Sequence, residues 1–168
     1  MDTPLPTHVP ALIAACMRGS GTRTGPFTVG LDAHSDDPMR NYAVPDHGAR
    51  PGAGDIDALI TLFRHRHRVP RLEYIEEDAP RAWPALAAAG FTIERRTPVM
   101  IATPATTLTP RSPAGITILL ATSDTDLART AHSRGIGLVF LEAEPEEEQI
   151  YRRTGSTDST TKIWASIR

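Results

Sequence analysis

One cysteine, Cys16, stands in a chain of 168 residues. That excludes an intrachain disulfide, paired cysteine ligands and a Cys-x-x-Cys redox centre. A large excess of charge of one sign is also missing: the formal net charge is -2 and the pI near 6.3, so no general basic surface invites nucleic acid. No stretch approaches the roughly 20 apolar residues that span a bilayer. The opening Met1-Asp2-Thr3-Pro4-Leu5-Pro6 has neither a basic region nor an apolar run, so neither export nor a membrane is expected and the predicted location is cytoplasmic. No Gly-x-Ser-x-Gly elbow occurs, and Cys16 reads onto the apolar face of a helix, leaving nucleophilic hydrolase chemistry without support. His65 and His67 lie among arginines at a spacing of two, which repels a cation and lacks the i, i+4 pattern, so no metal is expected.

What is present is a chain that can bury a core, with 40% apolar residues, divided by 15 prolines and 12 glycines into short elements. Val9 to Arg18 reads as a helix stopped by Gly19-Ser20-Gly21. Phe27 to Leu31 and Asn41 to Val44 read as strands, separated by a polar loop that holds Asp32, His34, Asp36 and Asp37. After a loop from Pro45 to Gly54, Asp55 is suited to cap a helix with Ile56, Leu59, Ile60, Leu62 and Phe63 in its stripe and a basic end from Arg64 to Arg68. Arg71 to Glu76 is a strand with Leu72 and Tyr74 on one face. Pro80 opens a short helix through Trp83 and Leu86, Gly90 ends it, and Phe91 to Thr103 is a strand with an expected break at Thr97-Pro98. A Pro- and Thr-rich linker follows. The rest reads as a strand at 116–120, a helix at 124–134, a strand from Gly137 to Leu141, a helix starting near Pro145, a stop at Gly155 and a strand from Thr160 to Ile167.

Two segments match as units. Leu72-Glu73-Tyr74-Ile75-Glu76 lies over Leu138-Val139-Phe140-Leu141-Glu142, and the same offset brings Gly90 within one position of Gly155. Each unit is a strand ending in a carboxylate, a short Pro-started helix, a glycine and a closing strand. Tyr151-Arg152-Arg153-Thr154-Gly155 after the strand Gly137 to Glu142 resembles the Tyr-x-x-x-Gly-Phe ending of GNAT acetyltransferase domains. Ala89-Gly90-Phe91 resembles the same corner, and the order of Pro70 to Tyr74, Ala88 to Phe91 and Pro98-Val99-Met100 resembles the first half of tandem GNAT proteins of high-GC bacteria.

The resemblance implies an α/β fold: a GNAT-like mixed sheet of about six to eight strands, flanked by helices and built from two half-copies. The expected division is a first half at 1–104, a linker at 105–113 and a shortened second half at 114–168. It implies acetyl-CoA or another acyl-CoA as cofactor and a small-molecule amine as substrate. The family grips the cofactor pyrophosphate with a loop of the type Arg/Gln-x-x-Gly-x-Gly/Ala at a helix N-terminus. Neither copy shows that loop, and Gly52-Ala53-Gly54 before Asp55 is the best-placed stretch. Two readings stay open: an acyl-CoA N-acyltransferase with an unusual or incomplete cofactor site, and a GNAT-like protein that does not use acetyl-CoA, serving as a binding module, a partner subunit or an enzyme of different chemistry. Shortened copies leave sheet edges to cover, which points to a homodimer.

The resemblance assigns the acid to Tyr151, since it matches the tyrosine that GNAT enzymes place beside the cofactor sulfur. Glu142 and Glu73, on equivalent strands, are the candidate bases. Tyr74 and Glu76 on the first strand, and His34 with Asp32 in the polar loop, are the candidate substrate contacts. Each has a plainer reading, in packing, capping or turn formation.

Overall fold

Alternation decides which residues of the strands meet the helices. The computed structural model describes residues 9–19, 21–103, 106 and 138–168. The elements are α1 (Val9–Arg18), β1 (Thr22–Thr24), β2 (Phe27–Gly30), a 3-10 turn (Pro38–Arg40), β3 (Tyr42–Pro45), α2 (Ala53–His65), β4 (Arg71–Ile75), α3 (Ala82–Ala88), β5 (Thr92–Ala102), β6 (Val139–Glu142), α4 (Glu148–Arg153) and β7 (Thr157–Ser166). Among the described residues the strands form a seven-stranded mixed sheet in the order β1-β2-β3-β4-β7-β5-β6. The expected α/β architecture, a mixed sheet flanked by helices, is what the chain adopts.

The chain divides into two compact units, one formed by Met1–Arg96 with Thr161–Arg168 and the other by Thr97–Thr160. In the first, Val29 is opposite Ala43, Ala43 opposite Leu72, Leu72 opposite Ala165 and Tyr74 opposite Ile163. These side chains share one face and form a core with Ile56, Leu59 and Phe63 of α2 and Leu86 of α3. Period two sends Thr28, Val44, Glu73 and Ile75 to the other face. There α1 lies over β2, β3 and β4, burying Val9, Ile13 and Ala14. That stripe turns Cys16 outward: it is exposed, and the apolar-face reading of this residue is corrected.

β3 and β4 are parallel, and α2 is the crossover such a pair needs. α2 begins at Ala53 with Gly52 as N-cap, so Asp55 caps from inside the first turn, its carboxylate accepting from the Gly52 N–H at 2.9 Å. The helix ends at His65, and His67 beyond it adopts a left-handed φ of 54°.

β5 runs unbroken from Thr92 to Ala102, which corrects the expected interruption at Thr97-Pro98. Its character does change there: residues 92–96 are largely exposed, and from Thr97 the strand is mostly buried. The boundary between the compact units falls at the same place. In the second unit β5 pairs antiparallel with β6 from Val99 opposite Glu142 to Ala102 opposite Val139. The linker apart from Thr106, and the strand and helix expected at 116–120 and 124–134, lie outside the described residues.

The strand, helix, glycine and strand unit occurs twice in the described residues. Phe91 N–H donates to the Leu86 carbonyl and Ser156 N–H to the Tyr151 carbonyl, each at 3.0 Å. Gly90 and Gly155 both have φ of 93°, the left-handed residue that such a helix end requires.

Candidate functional site

The carboxyl ends of parallel strands are where open α/β sheets place ligands. Between β3 and β4 the register holds at Ala43 and Leu72, and the chains then run into the loops at 46–52 and 76–81. Those loops are tied to each other. Gly48 N–H donates to the Asp78 carbonyl at 2.8 Å. The Asp78 carboxylate, with a side chain only 2% exposed, is bonded to the Arg18 guanidinium at the end of α1 and lies 2.7 Å from His47 Nδ1. Arg23 of β1 holds Asp46 through two contacts of 2.5 Å, and this pairing lowers the Asp46 pKa. Sequence reading missed Arg18, His47 and Asp78 because separations of 60 and 31 residues leave no local signature.

The resemblance implies a cofactor pyrophosphate at the N-terminus of the helix that follows β3, and the residues there do not fit it. The Gly52 N–H is taken by the Asp55 carboxylate, and a carboxylate at that point repels a phosphate. The turn between β1 and β2 closes over the same group: Gly25 has φ of 53°, and a Cβ there would stand 2.7 Å from Asp55 Oδ1. The chain supplies its own anion where the fold would receive one.

A second polar array lies along β4 and β7. Glu73 is opposite Trp164, is 7% exposed, and is bonded to Lys162, itself 4% exposed. Lys162 Nζ stands 4.5 Å from the Trp164 ring centroid, and the Arg71 guanidinium 5.1 Å from the same centroid. The indole is thus flanked by two cations. Arg71 also bonds Glu94, which accepts from the Ser166 hydroxyl at 2.6 Å.

The residues singled out from sequence fall into separate settings. Glu73 sits in that buried ion pair. Tyr74 points to the opposite face, 2% exposed in the core, and burial pushes its pKa up to about 12, with the Glu76 charge adding to the shift. Glu76 meets Arg96 at 2.5 Å. Asp32 accepts from the His34 N–H at 2.8 Å and pairs with Arg40; the backbone bond first, and the arginine second, lower its pKa. His34 is exposed. Asp37 accepts from the Met39 N–H and caps the 3-10 turn. Among the described residues no group of three His, Cys, Asp or Glu could hold a metal ion. Likewise none of their helices is long and apolar enough to cross a membrane. Tyr151 and Glu142 belong to the second unit: Tyr151 is half-buried on α4, and Glu142 is exposed at the end of β6.

No family model matches the chain, and no curated protein sequence matches it. Among solved structures it is similar to a GCN5-related N-acetyltransferase from Kribbella flavida, at a TM-score of 0.76 and 17% identity, over 96% of each chain. With the sheet order and the parallel β3–β4 pair, that likeness establishes the overall architecture: the chain has the fold of the GCN5-related N-acetyltransferases.

Proposed function

We propose that the chain is an N-acyltransferase of the GNAT kind that acts on a small-molecule amine. The observation that carries this reading is the parallel β3–β4 pair, registered at Ala43 and Leu72 and opening into loops at its carboxyl ends, inside a sheet of GNAT fold. An acyl-CoA used by this chain is held away from the N-terminus of α2, because Asp55 occupies that position. We assign proton transfer to Tyr151 and Glu142. Glu73, engaged with buried Lys162, is assigned to structure. A thiol-release assay with acetyl-CoA and a panel of small amines tests the reading. Turnover is expected with at least one amine, and Tyr151→Phe lowers it by about 100-fold, the range of a lost general acid. Absence of thiol release above the background rate across the panel contradicts it.

A second reading, a GNAT-fold protein that does not use acetyl-CoA, is favoured by the Asp55 cap and by the Asp78 clasp across the β3 and β4 loops. It predicts a folded protein with no measurable affinity for either acetyl-CoA or CoA.

A further inference from the structure

We infer that the first unit carries a binding site for a small oxyanion, a carboxylate or phosphate group, at the end of β4 opposite the Asp78 clasp. A cavity of about 310 Å³ opens there, lined by Asn41, Arg68, Val69, Arg71 and Ser166, among others. That volume is at the lower end for a small-molecule pocket.

Two guanidiniums make the cavity selective for an anion. Arg68 is held in place by three hydrogen bonds, to Asn41 Oδ1 at 3.3 Å, to the Asp32 carbonyl at 3.1 Å and to the His67 carbonyl at 3.4 Å. All three acceptors are neutral, so its position is fixed while its charge is left uncompensated by them. Arg71 also lines the cavity, its guanidinium paired with Glu94. The acidic lining residues are Glu94, which is engaged by Arg71 and Ser166, and exposed Asp36. Val69 is 56% exposed and gives the apolar part of a ligand a surface.

Titration of the whole chain with inorganic phosphate and, separately, with acetate tests the site, read from the arginine Nε–H resonances by NMR. The Arg71 and Arg68 signals are expected to move saturably at millimolar concentration of at least one probe. Val69→Glu places a negative charge at an exposed position without touching the core, and it is expected to weaken binding by about tenfold, as one nearby charge does. If neither probe moves these resonances, or if Val69→Glu binds as the parent does, the inference fails.

Discussion

Lys162 and Glu73 show how a single residue decides whether a buried charge is tolerable. Both are nearly inaccessible, and each is the other's counter-ion. Lys162→Ala leaves the Glu73 carboxylate buried without that partner, and denaturant titration is expected to show a loss of about 3–5 kcal/mol. Replacing both by apolar residues of similar volume recovers most of it, since the desolvation of two ions is removed together. Tyr74 gives a pH signature. Its folded pKa of about 12 lies above the ordinary value of 10.0. The neutral phenol therefore contributes its full stability below pH 10, and that contribution is lost as the pH rises toward 12. Ultraviolet titration should find one tyrosine ionising well after an exposed one, and a tyrosinate spectrum complete near the ordinary pKa contradicts the burial. The core position of Tyr74 follows from its alternation with Leu72. The burial of Glu73 does not, because its partner lies 89 residues away on β7.

At the scale of elements, two helix ends are built alike. α3 and α4 each finish on a glycine at φ of 93°, with matching bonds back to Leu86 and Tyr151. Both glycines were legible in the sequence as stops. Gly25 was not, because the turn it makes matters only where it meets Asp55 from another element. Gly25→Ala combines a left-handed backbone with a Cβ pressed on a carboxylate, and thermal unfolding is expected to show a cost of about 1–3 kcal/mol. Unchanged stability there contradicts the packing of the β1–β2 turn on α2. Among the described residues, the helices and most strands could be read from periodicity to within a few residues. Asp55 was expected to cap a helix starting after it, but the helix begins at Ala53 with Gly52 as N-cap, and Asp55 bonds back to Gly52 from the third helical position. The uninterrupted course of β5 through Pro98 was hidden for a physical reason: a proline lacks an N–H, but its carbonyl still accepts from Ala143.

For the whole molecule, we propose a homodimer that covers sheet edges; light scattering in solution checks it, and a monomer contradicts it. The GNAT architecture was legible because its corner motifs are local. The tie that Asp78 makes between the loops after β3 and β4 was not, since its contacts to Arg18 and His47 span 60 and 31 residues. The proposed acyl transfer therefore rests on the fold alone, and an acyl-CoA would have to be accommodated around Asp55 at the start of α2. Calorimetric titration of the unmodified chain with acetyl-CoA tests this most directly. The account predicts saturable binding at millimolar ligand or below, with CoA binding as well. No heat beyond dilution for either ligand, from a protein shown to be folded, contradicts it.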